Sequence, residues 1–143
     1  MGRGNRQTKK RGGAGQGRAS AEEFLTKNAQ RPEVITTETG LQLEHLVVGE
    51  GAVPSENNTV TVDQRIKLLN GNIIGDTFRD NRPDTFSLLE AVEGYREGIL
   101  QMREGGRTVF YCPPDLAWGK KGAGSKIPPN ALLIYDVRLR AIR

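Results

Sequence analysis

Val60, Val62, Ile66 and Leu68 occupy alternate positions of one stretch, with Thr61, Asp63, Arg65 and Lys67 between them. A period of two sends successive side chains to opposite faces, so this segment predicts a strand with one buried side. Gln64 falls on the apolar face. An inward amide without partners costs about 1–3 kcal/mol, so Gln64 is expected to line a solvated pocket or sit near an opening. Asn70-Gly71 is a strong hairpin turn, and Asn72 to Phe78 reads as the returning strand. Leu41, Leu43 and Val47 alternate with polar residues after Gly40, ahead of a turn-rich connection from Gly49 to Asn58. Arg107 to Cys112 and Leu132 to Ile142 read as further strands. In the second, Leu133, Tyr135, Val137 and Leu139 alternate with Ile134, Asp136, Arg138 and Arg140, which leaves a charged, solvated face.

The period changes between those strands. Val92, Tyr95, Ile99 and Met102 stand at i, i+3, i+7 and i+10, one stripe of a helix that Gly105-Gly106 stops. Gly94 and Gly98 inside it each cost about 1 kcal/mol against alanine, which predicts a close neighbour over that face. Nearer the start, Ser20-Ala21-Glu22-Glu23 fits a capping box opening a short helix to about Asn28, with Phe24 and Leu25 as its apolar edge and Pro32 preventing extension. One main helix crossed by a half-covered antiparallel sheet is an α+β architecture. Arg79 to Thr85 reads as a polar loop. Pro113 to Ala131 is a long loop stiffened by prolines, and such loops in compact domains are usually functional.

A chain of 143 residues that is 36% apolar supports one domain with one core. The first residues lie outside it: Arg3, Arg6, Lys9, Lys10, Arg11 and Arg18 sit among glycines without one acid, and such a segment buries too little apolar surface to offset its ordering entropy. Its six cations exceed the formal net charge of +4, so the remainder carries about −2 and the high pI belongs to the tail. No apolar run follows the basic start before Phe24, and nowhere do about 18 apolar residues occur together, so a cytoplasmic protein that does not enter a membrane is expected. Cys112 is the only cysteine and His45 the only histidine, which excludes an intrachain disulfide and multi-Cys or multi-His metal sites. Cys112 reads as a buried strand residue, since no neighbouring histidine could activate it, and His45 as solvated.

From Gly94 to Val137 the chain runs Gly94-Tyr95-Arg96-Glu97-Gly98, Met102, Gly105-Gly106, Pro113-Pro114-Asp115-Leu116-Ala117-Trp118-Gly119, Ile127-Pro128-Pro129-Asn130-Ala131 and Tyr135-Asp136-Val137. That series resembles the FKBP-type peptidyl-prolyl cis-trans isomerases, especially their Mip-like bacterial group, over about Thr36 to Arg143. The resemblance implies an FKBP-like twisted antiparallel sheet wrapped around one short helix at 36–143, preceded by a disordered basic tail at 1–19 and a short helix and linker at 20–35. In Mip-like proteins the latter residues end a long helix arriving from a dimerisation region. Here the basic tail takes that region's place, so a monomer is expected.

By the same resemblance Tyr95 is the aromatic floor of the pocket, where the family usually has Trp. Trp118 stands where a Tyr hydrogen-bonds the ligand carbonyl, and an indole N–H can donate in its stead. Val92 offers its backbone N–H, and Ile127 and Tyr135 complete the catalytic set. Ile74, Ala91, Gln64, Asp76 and Phe86 are the implied substrate-binding residues. Gln64 replaces a Tyr, Gly75 replaces the pocket Asp with Asp76 next door, and Asp84 replaces an apolar wall residue. These departures, with the Tyr135 hydroxyl, make a wetter pocket with low isomerase activity. The implied partners are proline-containing polypeptides, and no cofactor or metal is implied.

The alternative is a noncatalytic FKBP-like binding or chaperone module. The Arg/Gly-rich tail is an electrostatic footprint for phosphate backbones, and without an aromatic residue for base stacking it would contact nucleic acid or ribosomes nonspecifically.

Overall fold

The computed structural model describes residues 13–143. The strands are β1 (Ile35–Thr36), β2 (Gln42–Val47), β3 (Thr59–Leu68), β4 (Ile73–Asp76), β5 (Asp84–Ser87), β6 (Arg107–Cys112) and β7 (Leu133–Ile142). The helices are α1 (Gly13–Asn28), α2 (Thr77–Asp80) and α3 (Glu93–Leu100), with 3-10 turns at Leu88–Glu90 and Pro114–Leu116. All strands pair antiparallel in the order β1-β2-β6-β7-β3-β4, and β5 also pairs with β3.

The period-two reading of β3 and β7 holds. Val60, Val62 and Leu68 from β3 join Leu133, Tyr135, Val137 and Leu139 from β7 in one core with Leu41, Leu43 and Phe110. Asp63, on the outward face of β3, is nonetheless buried, and Arg140 of β7 donates to its Oδ2 at 2.9 Å. The hairpin at Asn70-Gly71 is present: the Gly71 N–H reaches the Leu68 carbonyl and Gly71 has φ 94°, which suits its lack of a Cβ.

Helix α3 is shorter than its apolar stripe. Val92 is its N-cap, Gln101 its C-cap, and Met102 lies beyond it, buried. The close neighbours expected of its glycines are there. A Cβ on Gly94 would run into Cys112 Sγ and Leu116, and one on Gly98 would stand 2.7 Å from the Phe110 ring. The sheet therefore sits directly on the helix backbone, which an alanine would not permit.

Four expectations need correction. The first helix begins at Gly13 among the described residues, so Ser20 is not its cap and the boundary between 19 and 20 falls inside α1. Residues 1–12 of the expected disordered tail lie outside the described residues. The returning strand ends at Asp76, because the Asp76 carboxylate accepts the Arg79 N–H and caps α2, which takes Thr77 and Phe78 out of extended structure. The polar loop to Thr85 gives way to β5 at Asp84, pairing Asp84 with Val62 and Phe86 with Val60. Last, β1 was not expected: its two residues extend the sheet beyond β2.

Helix α1 lies against the opposite face of the sheet from α3. Phe24 meets Tyr111 at 5.7 Å between ring centroids, and the buried Asn28 and Gln42 side chains bond at 2.9 Å. Arg31 just beyond the helix reaches Asn28, Tyr111 and Glu44, so a polar network carries this contact.

Candidate active site

Between α3, β3, β7 and the loop after Pro114–Leu116 lies a cleft of about 680 Å³. Its floor is Tyr95, 5% exposed, placed there by the first turn of α3. The ring stands 4.6 Å from Tyr135, 5.6 Å from Phe110 and 5.7 Å from Phe86 between centroids. Ile74 of β4, Val92 and Ala91 before α3, Ile127 of the long loop and Trp118 complete the lining. Nine of the ten residues singled out in the sequence thus converge on one cavity.

Asp76 is the exception. Its carboxylate bonds Arg65 Nε at 3.0 Å and caps α2. Desolvation alone would push that carboxyl up, but Arg65 and the Arg79 N–H outweigh it and hold the group below its ordinary value. It is a structural cap outside the cleft. Residues missed in the sequence also line the cavity: Ile66, Leu133, Glu90 and the segment Ala123 to Lys126. Ile66 and Leu133 were legible, two positions from Gln64 and Tyr135 on the same strand faces. The sequence marked the loop from Pro113 to Ala131 as functional but not these positions within it, whose place depends on a bridge between Ala123 and Ile127.

Polar chemistry enters the cavity from one side. The Tyr95 hydroxyl donates to Gln64 Oε1 at 2.6 Å, and Gln64 Nε2 donates to Asp84 Oδ2 at 2.7 Å. Gln64 is half-buried and lines the cleft, as its inward position in β3 required. Burial first, then the nearby Tyr135 and Asp84, drives the Tyr95 hydroxyl well above its ordinary pKa of 10.0. Burial likewise raises Tyr135. Both stay protonated across the neutral range. The Tyr135 hydroxyl, the Trp118 indole N–H and the Val92 backbone N–H make no hydrogen bond among the described residues. Three donors therefore stand free around an aromatic floor, with Trp118 44% exposed at the rim.

Cys112 is buried behind the floor, and desolvation, with Glu97 and Glu93 nearby, pushes its thiol up to about 12. It is a protonated packing residue, not a nucleophile. His45 lies outside the cleft, half-buried, with Nδ1 2.8 Å from Thr108 Oγ1.

A sheet wrapped over one helix holds a mostly apolar cleft with hydrogen-bond donors at its edge. The chain belongs to the FKBP-type peptidyl-prolyl cis-trans isomerase family, whose model matches residues 51–140. A second model, the domain amino terminal to FKBP-type peptidyl-prolyl isomerase, matches residues 3–44. That match corrects the expectation that the basic tail replaces the family's amino-terminal region, since the tail falls within the match, and it removes the ground on which a monomer was expected. The chain is 40% identical over 118 residues to the probable FKBP-type peptidyl-prolyl cis-trans isomerase FkpA of Neisseria meningitidis, covering 82% of this chain and 43% of the relative. It is 37% identical over 120 residues to the peptidyl-prolyl cis-trans isomerase Mip of Coxiella burnetii, covering 84% and 52%. The crystal structure of FkpA from Escherichia coli superposes with a TM-score of 0.90 at 31% identity, covering 96% of this chain and 64% of that one. The chain spans about half the length of the relatives it matches.

Proposed function

We propose that this chain catalyses cis/trans isomerisation of Xaa-Pro bonds in polypeptides and so assists their folding. The observation that carries the reading is the Tyr95 floor flanked by the free N–H groups of Trp118 and Val92. A prolyl ring packs on Tyr95 between Tyr135, Phe86 and Ile74. The indole of Trp118 and the N–H of Val92 then hold substrate carbonyls.

Rotation is opposed by amide resonance, a barrier of about 18–20 kcal/mol. No bond to the protein forms or breaks. The twisted amide is less polar than the planar one, so an apolar wall that replaces water favours the twisted form, and each 1.4 kcal/mol of preference is worth about tenfold in rate. The reaction needs no proton transfer from the site, in keeping with Tyr95 and Tyr135 being held protonated.

We further infer that turnover is low. The Tyr95–Gln64–Asp84 chain puts an amide on one wall with an exposed carboxylate behind it, where an apolar lining would favour the twisted amide more. The basic residues of the first segment support nonspecific contact with phosphate backbones as a separate property.

The deciding measurement is exchange spectroscopy on Leu-Pro and Phe-Pro peptides, with wild type beside Trp118→Ala at equal folded concentration. Acceleration that the variant loses is the expected result. No acceleration by folded wild type overturns the isomerase reading in favour of a noncatalytic binding module.

A further inference from the structure

The loop from Pro113 to Ala131 carries two lining residues, Trp118 and Ile127, yet Trp118 is 44% exposed and has little packing of its own to hold it. What fixes the loop comes from the far side. Arg18 Nη2 in α1 donates to Asp115 Oδ1 at 3.3 Å and to Asn130 Oδ1 at 3.0 Å. Asp115 lies in the 3-10 turn three residues before Trp118, and Asn130 lies at the loop's other end. One guanidinium thus ties both ends of the loop together.

Each tie passes on to the indole by short steps. The Asn130 N–H donates to the Gly119 carbonyl at 2.8 Å, and the Gly119 N–H donates to the Pro114 carbonyl at 2.9 Å, so the residue after Trp118 is bonded to both anchored ends. Asn130 is 4% exposed and adopts φ 56°, a left-handed conformation that asparagine tolerates better than most residues. The helix comes close enough to make the tie because position 17 lacks a side chain: a Cβ there would stand 3.1 Å from the Pro129 carbonyl oxygen.

We propose that Arg18 is a positioning residue for the cleft, clamping the loop so that the Trp118 indole N–H faces the bound carbonyl. Its role in turnover rests on the isomerase reading above, whereas the clamp itself does not. Both bonds leave the same nitrogen, Nη2, so a lysine ammonium has donors enough for both acceptors and differs in its shorter reach. The clamp also makes the cleft responsive to anything that displaces α1.

Trp118 is the only tryptophan, so one indole resonance in a ¹H–¹⁵N spectrum reports on it. The experiment compares full-length wild type, Arg18→Ala and Arg18→Lys by that resonance, by amide exchange of Gly119 and Asn130, and by kcat/KM on an Xaa-Pro peptide. Arg18→Ala is expected to shift or broaden the indole signal, to speed amide exchange at Asn130, and to lower kcat/KM by about three- to tenfold, mainly through KM. Arg18→Lys should recover part of each effect, and the melting temperature should move by no more than a few degrees because Arg18 is partly exposed. An unchanged indole signal and unchanged Asn130 exchange in Arg18→Ala would overturn the clamp. So would a loss shared equally by Arg18→Lys and matched by global destabilisation. If wild type accelerates no exchange, the isomerase reading fails, while the indole and amide readouts still decide the clamp.

Discussion

Gln64 uses both ends of its amide, accepting from Tyr95 and donating to Asp84, so no single change at this wall is independent of the others. Gln64→Tyr alone would restore an aromatic surface. Gly75→Asp beside it is sterically open, since a Cβ at Gly75 meets only Ile66 Cδ1 at 3.5 Å, an ordinary contact. The double variant is expected to raise kcat/KM for Xaa-Pro peptides, by about tenfold if the wall gains about 1.4 kcal/mol of selectivity for the twisted amide. A folded double variant with no gain would show that wall polarity is not what limits turnover. Buried acids also set how the protein responds to base. The folded Cys112 thiol keeps its proton to about 12 while the unfolded one releases it near 9.0. Above pH 9 the unfolded state therefore binds fewer protons and stability falls, by about 1.4 kcal/mol per pH unit for one such group. Tyr95 and Tyr135, raised above an ordinary 10.0, steepen the fall above pH 10. Urea midpoints from pH 8 to 11 should decline from pH 9 in wild type and only from about pH 10 in Cys112→Ala.

Helix α3 places the floor of the cleft, and its two buried glycines set how deep that floor lies. Alanine at Gly98 gains about 1 kcal/mol of helix propensity but forces a Cβ to 2.7 Å from the Phe110 ring. Phe110 is fully buried and cannot move aside, so overpacking wins and a net loss of about 1–3 kcal/mol is expected by chemical denaturation. Stability equal to wild type would mean that the sheet can lift from the helix. These glycines were readable in the sequence because their cost at helical positions demanded compensation. The long strands were readable too, since each buries one face and writes a period of two over enough positions. Elements of two to four residues carry no such period. β1 and β5 exist because β2 and β3 offer partners, α2 because Asp76 found a backbone N–H, and the early start of α1 because Gly17 and Arg18 dock on the long loop. The site divides along the same line. Gln64, Ile74, Tyr95 and Tyr135 on regular elements were found, while Ile66 and Leu133 on the same strand faces were passed over. The loop segment 123–126 was missed, and Asp76, adjacent to the expected wall position, was drawn off as a cap.

For the whole molecule, charge is arranged in two blocks: a cationic first segment and a remainder of about −2. On the isomerase reading the cleft gains nothing from that polarity, since a prolyl ring flanked by amides carries no charge. We propose that the first block acts on location, through contact with phosphate backbones. Five cations, Arg3, Arg6, Lys9, Lys10 and Arg11, precede the described residues. On single-stranded nucleic acid each phosphate neutralised adds about −0.7 to the slope of log K against log salt, so five contacts give a limit of about −3.5. Retention on RNA should accordingly fall about three thousandfold for each tenfold rise in salt if all five engage. Replacing the five by Gln is expected to abolish retention at low salt while leaving kcat/KM on Xaa-Pro peptides unchanged, because the residues that line the cleft lie between 64 and 135. Retention that survives the replacement would assign nucleic-acid contact to the folded domain, where Arg31, Arg65, Arg107 and Arg140 are already paired with carboxylates and exposed cations such as Lys120, Lys121, Lys126 and Arg138 would supply it.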